Sequence, residues 1–344
     1  MSTGLADFVT ERARDAQRLL GRALGAIVDP TIALSFARPG FRIHAWTFDP
    51  DDLRVDLTGR RCLVTGGNSG LGYEAALALA RLGATVVLLC RNAERGNAAA
   101  AAMRAATGNP GVSADVLDVS SLAAVRSAAA RLRAAPVDVL IHNAGLLPAA
   151  RIETADGLEL TFATHVVGPF LLTRLLRDAL AASADGRVIW VSSGGMYTQR
   201  LALGDVDWRT RPYDGVRAYA ETKRAQVVLA ELFAEELASS AVVVNAMHPG
   251  WADTPGVRTS LPGFHRLTRP FLRTPAEGAD TIVWLAASTR GRDYSGRFFL
   301  DREPRRTHVV PFTRETAEER AALWSLCERL VAVDVGSRGH RVTG

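Results

Sequence analysis

The chain has 344 residues, of which 48% are hydrophobic and 22% are charged, and its formal net charge at pH 7 is +5. This is the composition of a globular protein with a sizeable core, and the scattered basic residues argue against nucleic acid as a partner. Three widely spaced cysteines indicate reduced thiols, no metal site and a cytoplasmic location.

A helical extension over residues 1–55 is predicted ahead of one domain that spans 56–344. Apolar residues recur at helical spacing up to Asp29-Pro30, which would end the helix: Val9, Ala13, Ala16, Leu20, Leu24 and Ile27. Two interpretations stay open: this face docks on the chain's own domain or on a partner subunit, or it lies on a membrane surface. Insertion across a membrane is not expected, because no apolar run approaches the roughly 20 residues that a spanning helix needs.

From Arg61 onward, short apolar strands alternate with helical segments. The predicted strands are Cys62–Val64, Thr85–Cys90, Val112–Leu117, Val137–His142, Arg187–Val191, Val242–Met247 and Gly296–Leu300. Apolar strands separated by helices are typical of a parallel sheet that is buried on both faces. The sequence therefore predicts the α/β class, as a doubly wound parallel sheet flanked by helices.

A glycine-rich turn lies between the first strand and the first helix: Thr65-Gly66-Gly67-Asn68-Ser69-Gly70-Leu71-Gly72. In such a turn Gly66 allows a sharp bend, Gly70 lets a pyrophosphate approach the backbone, and Gly72 lets the helix pack closely on the sheet. The helix N-terminus offers free N–H groups to the anion. This context favours a dinucleotide site over a plain tight turn.

The end of the second strand indicates which dinucleotide binds. A site for NAD places a carboxylate there for the ribose 2′-hydroxyl, whereas this strand ends in Leu89-Cys90-Arg91-Asn92. Arg91 would bind a 2′-phosphate through charge-assisted hydrogen bonds. NADP(H) is therefore favoured over NAD(H), and the alternative is that Arg91 simply faces solvent.

Tyr219 and Lys223 are four residues apart in a helical segment and so share one helix face. A nearby ammonium lowers the pKa of a phenol and makes it a usable general acid or base. Lys223 is the only lysine among 41 basic residues, which indicates a need for a compact ammonium that arginine does not meet. Ser193 follows another strand, where its hydroxyl could hold a substrate carbonyl.

These motifs together resemble the non-extended short-chain dehydrogenase/reductase family over about residues 59–300. The glycine turn resembles the family's TGxxxGxG motif, and Ser193, Tyr219 and Lys223 fall on its catalytic serine, tyrosine and lysine. His142-Asn143-Ala144-Gly145 resembles the family's NNAG element, and Pro249-Gly250-Trp251-Ala252-Asp253-Thr254 resembles its PGxxxT segment. Asp118, followed by Val119, falls where the family has an aspartate near the adenine.

The resemblance implies a Rossmann sheet of about seven strands, with a cofactor half at about 59–185 and a substrate half at about 186–310. It implies hydride transfer between a nicotinamide cofactor and a carbonyl or alcohol. Tyr219 would exchange a proton with the substrate oxygen, Ser193 would orient that oxygen, and Lys223 would hold the nicotinamide ribose. Other residues would line the cofactor cleft: Asn68, Ser69, Leu71, Asp118, Val119, Asn143, Ala144, Gly145, Pro249, Gly250, Trp251 and Thr254.

One position departs from the family's pattern, because His165 stands where the catalytic asparagine aligns. Histidine carries protons near neutral pH, so we expect an altered proton relay with activity retained. A function of another class stays open on the same ground, namely a catalytically idle NADP-binding protein that senses redox state or acts as a scaffold.

The segment from Trp251 to Arg273 is rich in apolar residues: Trp251, Val257, Leu261, Phe264, Leu267, Phe271 and Leu272. In the family this region covers the substrate pocket, so the resemblance implies a lipophilic carbonyl or alcohol as substrate. The alternative is that these side chains only complete the core beneath a long loop.

Overall fold

In the computed structural model, which describes residues 3–332, the short apolar segments form one twisted sheet. Its strands within that range are β1 Arg61–Thr65, β2 Thr85–Cys90, β3 Val112–Val116, β4 Val139–His142, β5 Arg187–Val191, β6 Val243–Met247, β7 Arg297–Leu300 and β8 Glu303–Arg305. Their order is β3-β2-β1-β4-β5-β6-β7-β8. β1 to β7 are parallel, which confirms the predicted doubly wound α/β class.

The helices of the described chain begin and end as follows: α1 Thr3–Val28, α2 Ile32–Phe36, α3 Arg38–His44, α4 Gly70–Arg81, α5 Ala93–Thr107, α6 Leu122–Leu132, α7 Leu160–Phe162, α8 Gly168–Leu175, α9 Arg177–Ala181, α10 Gly215–Glu236, α11 Pro255–Ser260, α12 Pro262–Thr268, α13 Pro275–Ala287 and α14 Ala317–Ala332. Apolar side chains of α4, α5 and α13 form one core against the sheet, and those of α6, α8, α10 and α14 form the other. In β5, Val188 and Trp190 belong to one core while Ile189 and Val191 belong to the other. This two-sided burial explains why the strands are continuously apolar.

The eighth strand was not predicted from the sequence. β8 pairs antiparallel with β7 through a two-residue turn in which Asp301 and Arg302 have φ of +53° and +61°. Positive φ at both central positions suits the twist of a tight hairpin, but the usual sequence signal is Asn-Gly or Asp-Gly. Here Asp301 is held from outside the hairpin, because its buried carboxylate receives two hydrogen bonds from Arg273.

The extension contains α1, α2 and α3, and α1 ends at Val28, just before Asp29-Pro30 as predicted. The predicted apolar face of α1 is mostly not covered by the chain's own domain, since Leu20 is 52% and Ile27 is 70% exposed while Leu24 is half-buried; docking of this face on a partner subunit stays a prediction. Instead the buried positions in the described part of this helix from Arg14 onward are Gly21 and Gly25, which lie close to α3 and the turn after it. The side chains of Val9 and Ala13 lie outside the described part, as do residues 333–344.

No helix in the described range is both long and apolar enough to cross a membrane. The order of the strands reverses between β1 and β4, which places a crevice at the carboxyl ends of these strands. The loops after β1, β4, β5 and β6 meet at this crevice, and each contributes residues predicted to bind the cofactor or the substrate.

Candidate active site

The turn between β1 and α4 is built around glycine. Gly66 and Gly70 have φ of +65° and +57°, a region that side chains with a Cβ rarely adopt. A Cβ on Gly72 would lie 2.4 Å from Asn143 Nδ2, so only glycine allows α4 to lie this close to the end of β4. Ser69 precedes α4 but its side chain does not cap the helix. The N–H groups of the first helical turn are therefore available to an anion in the crevice.

Reciprocal hydrogen bonds join the ends of β1 and β4 beside this turn. Thr65 Oγ1 accepts from the backbone N–H groups of Asn143 and Ala144 at 2.9 and 3.0 Å. In return Asn143 Nδ2 donates to the carbonyl oxygens of Thr65 at 3.0 Å and Gly66 at 3.3 Å. The asparagine of the NNAG-like element therefore fixes the floor of the crevice, and no sequence pattern indicated that Thr65 is its partner.

The crevice has a volume of about 660 Å³, which lies within the range of small-molecule sites. Nearly all predicted site residues line it: Gly66, Asn68, Ser69, Gly70, Leu71, Arg91, Asp118, Val119, Asn143, Ala144, Gly145, Ser193, Tyr219, Lys223, Pro249, Gly250, Trp251 and Thr254. Gly72 lies beneath the turn, and His165 packs behind Tyr219 with 5.4 Å between ring centroids. The uncapped helix end and the glycine cradle fit a dinucleotide along this crevice.

Arg91 lies at the end of β2, where it is exposed and lines the crevice. It forms no ion pair with any residue that the structure describes. The neighbouring Asn92 accepts a hydrogen bond from Arg95 N and caps α5, so no carboxylate stands where an NAD site would have one. The guanidinium is therefore open to an anionic group of a ligand.

Tyr219 and Lys223 lie on one face of α10 at the floor of the crevice, with Lys223 Nζ 5.3 Å from the centroid of the phenol ring. Nζ donates to Val191 O at 2.8 Å and to Gln226 Oε1 at 3.0 Å. The predicted lowering of the Tyr219 pKa by Lys223 is not found, since burial raises this pKa and only a hydrogen bond with Ser193 opposes the rise. Burial lowers the pKa of Lys223 to about 7.

Gln226 connects Lys223 to His165. Its side-chain amide accepts from Lys223 Nζ and donates from Nε2 to His165 O at 2.9 Å. Gln226 is fully buried, so this bridge lies behind the crevice wall. No motif in the sequence indicated this bridge, although a residue three positions after Lys223 on a helix shares its face.

The His165 ring is neutral and fully engaged. Nε2 accepts from Leu146 N at 3.1 Å, so the proton is on Nδ1, which donates to Thr222 Oγ1 at 2.8 Å. Burial, and next the charge of Lys223, hold the pKa of His165 well below 6.5. The expectation that this ring titrates near neutral pH is therefore wrong, whereas its participation in catalysis stays a prediction.

A doubly wound sheet with a glycine cradle, an uncapped helix end and a Ser-Tyr-Lys cluster in one crevice defines a nucleotide-dependent dehydrogenase. Residues 60–262 match the family model for short chain dehydrogenases. The chain belongs to the short-chain dehydrogenase/reductase family and is an NAD(P)-dependent oxidoreductase.

Relatives and solved structures agree with this membership. The chain is 41% identical over 298 residues to dehydrogenase/reductase SDR family member 12 of Bos taurus, covering 86% of this chain and 93% of that protein. It is 35% identical over 295 residues to retinol dehydrogenase 13 of Homo sapiens, covering 83% and 88%. A short chain dehydrogenase from Escherichia coli, crystallised with NADPH, superposes with a TM-score of 0.59 at 27% identity, covering 74% of this chain and 100% of that one.

Proposed function

We propose that this protein is an NADP(H)-dependent oxidoreductase that interconverts a carbonyl and an alcohol on a lipophilic substrate. The observation that carries the proposal is that Ser193, Tyr219 and Lys223 line the same crevice as the glycine turn. A phenol at the floor of a nucleotide crevice lies where a proton can be exchanged with a substrate that faces the bound nicotinamide.

When bound, the nicotinamide supplies or accepts the hydride. In reduction, Tyr219 Oη donates a proton to the forming alcohol oxygen, and in oxidation it takes that proton back. Ser193 Oγ holds the same oxygen in place. An ammonium has three N–H donors, and Lys223 uses two of them on the protein. The third N–H donor remains for a ligand group in the crevice, where the nicotinamide ribose would lie.

The preference for NADP(H) rests on Arg91, which is exposed, lines the crevice and has no neighbouring carboxylate on its strand end. Arg91→Ala should weaken NADPH binding more than NADH binding, measured by titrating cofactor fluorescence. Arg95→Ala is a matched control, because Arg95 is an exposed arginine of the next helical turn that does not line the crevice. Tighter binding of NADH by the wild type, or equal effects of the two substitutions, would overturn the assignment.

The lipophilic substrate is supported by the segment after the PGxxxT-like motif, where α11 and α12 form one wall of the crevice. Trp251, Val257, Leu261 and Phe264 line the crevice, whereas only Leu272 of the seven apolar residues is buried. This arrangement favours a substrate-covering role over core completion, and similarity to a retinol dehydrogenase supports an apolar substrate.

A screen of carbonyls and alcohols with NADPH and NADP⁺, followed by absorbance of the reduced cofactor, tests the substrate class. Turnover should increase with the apolar surface of the substrate, and Phe264→Ser should reduce this dependence. Tight NADPH binding with no turnover across both libraries would instead favour the idle sensor or scaffold.

The role of His165 is tested on a substrate found in this screen. His165→Ala should slow turnover with little change in cofactor affinity, and His165→Asn should retain turnover.

We also propose that the protein is cytoplasmic and that it contacts anionic membrane surfaces peripherally. A cytoplasmic location is supported by three buried free thiols, Cys62, Cys90 and Cys327, and fractionation of expressing cells checks it. Peripheral contact with an anionic membrane surface is supported by exposed Leu20 and Ile27 on α1, flanked by exposed Arg14 and Arg22. The wild type should co-sediment with anionic vesicles, whereas a Leu20→Ser/Ile27→Ser variant should stay in the supernatant.

A further inference from the structure

We infer that Phe36, at the end of α2 in the N-terminal extension, is a positioning residue for the active site. Its main chain and its ring hold the two loops that carry Ser193 and the PGxxxT-like segment. This inference rests on the proposed roles of those two loops. It gives the extension a function in catalysis, although the extension lies outside the range that matches the family model.

The main chain of Phe36 is bonded directly to the loop after β6. Phe36 O accepts from Trp251 N at 2.8 Å and from Arg273 Nε at 2.9 Å. Arg273 N in turn donates to Trp251 O at 2.8 Å. The end of α2 and Arg273 therefore hold Trp251 from both sides, and this residue directly follows Pro249 and Gly250 in the crevice wall.

The ring of Phe36 supports the loop after β5 from behind. It packs edge-on against His248 with 4.4 Å between ring centroids, and His248 Nδ1 accepts from Gly194 N at 2.9 Å. A Cβ on Gly194 would lie only 2.4 Å from Phe36 Cε2. The ring thus fills the space behind the residue that follows Ser193, and it holds the imidazole that fixes the backbone of the same residue.

The end of α2 has its own anchor in the domain. Arg273 Nη2 donates to Ser35 O at 2.8 Å, and its guanidinium is bound to the buried carboxylate of Asp301. His44 at the end of α3 donates to the same carboxylate, with 2.6 Å between Nδ1 and Oδ2. Because these contacts flank Phe36 on both sides in the chain, its ring has a defined position from which to support the loops.

Full-length Phe36→Ala and Phe36→Leu variants test the inference against a purely structural role. Phe36→Ala should lower kcat on the order of 10- to 100-fold, the size of effect that a misplacement of about 1 Å produces, with a smaller change in substrate KM. Phe36→Leu keeps part of the ring's volume and should recover part of the loss. Hydrogen exchange without cofactor should rise in peptides covering 192–196 and 248–252.

Phe48→Ala is the matched control, because Phe48 lies in the same extension but packs on Phe41 and on Arg302 of the β7–β8 turn, away from the crevice. It should lower thermal stability while leaving kcat and exchange in both loops unchanged. His248→Leu removes the acceptor for Gly194 N and should reproduce the Phe36→Ala exchange pattern even if Phe36→Ala folds poorly. Unchanged exchange in both variants, or an equal loss of kcat in Phe48→Ala, would overturn the inference.

The result is separable from the fate of the proposed function. If Tyr219→Phe retains normal turnover, the proposed chemistry fails whatever Phe36 does. If Tyr219→Phe abolishes turnover while Phe36→Ala keeps its kcat and its exchange pattern, only the positioning role fails. The exchange measurement needs no substrate, so it decides the contact between the extension and the loops independently of activity.

Discussion

Two buried cations in this protein are held in opposite ways. Lys223 at the crevice floor is 3% exposed and donates only to neutral acceptors, Val191 O and Gln226 Oε1. Arg273 beneath the extension is 1% exposed, and its guanidinium forms two hydrogen bonds with the carboxylate of Asp301. Among the residues that the structure describes, the first charge has no counter-ion within hydrogen-bonding distance, whereas the second is paired with a carboxylate.

The difference shows how the fold separates a reactive group from a structural one. Burial without a counter-ion lowers the pKa of Lys223 to about 7, so its charge responds to what enters the crevice. The Asp301 pKa behaves in the opposite way, because Arg273 and His44 lower it despite a large opposing effect of burial. A paired buried charge stays fixed, and removing one partner leaves the other uncompensated.

The largest expected effect is on the reactive side. Tyr219→Phe removes only the hydroxyl, so turnover should fall by roughly 10²–10⁴-fold, as is typical for the loss of a general acid–base. Cofactor affinity and the free energy of unfolding should change little, because the ring is retained. Steady-state kinetics on a substrate from the screen, with a fluorescence titration of NADPH, measure both. Near-normal turnover would refute the proposed chemistry.

On the structural side, Asp301→Asn should mainly cost stability, and any fall in kcat should not exceed that of Phe36→Ala, because Asp301 contacts the active-site loops only through the anchor of Phe36. Asparagine tolerates the positive φ at this position, so the turn is preserved while Arg273 loses its counter-charge and His44 keeps only that of Asp29. Breaking a buried pair in this way costs about 3–5 kcal/mol, measurable by urea unfolding. Asp51→Asn breaks the exposed pair with Arg54 and should cost only about 0–1 kcal/mol. Equal losses in the two variants would contradict the distinction.

Much of the fold and part of the site are encoded locally. β2 and β5 could be predicted with their true boundaries, because a strand buried on both faces is a short, continuous apolar run. Spacing alone revealed the glycine turn between strand and helix and the pair of Tyr219 and Lys223, whereas most other crevice residues were predicted through the resemblance to the family.

The features that could not be predicted depend on contacts between distant parts of the chain. Phe36 has no motif of its own, and its importance comes from Gly194 and His248, which lie far along the sequence. The Asp301 turn lacks a glycine signal because Arg273 stabilises it from another segment. The position of His165 in the site could be predicted, but its protonation state could not, because its pKa depends on burial and on Lys223.

A third prediction addresses the bridge from Lys223 to Gln226. Gln226→Glu introduces a carboxylate 3.0 Å from Nζ and should raise the Lys223 pKa, whereas Gln226→Leu removes an acceptor and should lower it. If catalysis needs the ammonium, the alkaline limb of the pH–rate profile should move to higher pH in the first variant and to lower pH in the second. Profiles of kcat between about pH 5 and 10 measure this.

Asn245→Leu is the control for this pair, because Asn245 is a buried amide in β6 that bonds to Tyr294 O and Arg297 N. It should lower stability without moving the pH profile. If both Gln226 variants kept the wild-type pH–rate profile and differed from the wild type only in stability, Gln226 would be a packing residue. It would then have no influence on the pKa of Lys223.

The smallest expected effect is the pH dependence that His44 gives to the docking of the extension. Burial alone would lower its pKa, but the contacts with the carboxylates of Asp29 and Asp301 outweigh burial and raise the pKa above 6.5. A raised pKa in the folded state means that the stabilisation is fully present below the unfolded value of about 6.5 and is lost as pH rises through the folded pKa. The difference in free energy of unfolding between wild type and His44→Gln should therefore be largest in mildly acidic solution and shrink at alkaline pH.

Urea unfolding of both proteins between about pH 5 and 9 tests the sign of this pH dependence, because titrations that the two proteins share cancel in the difference. In an Asp301→Asn background the pH dependence should weaken, since one of the two carboxylates that hold the charged imidazole is gone. A difference that is constant across this range, or that grows with rising pH, would show that His44 docks the extension as a neutral ring and that only Arg273 carries the paired charge.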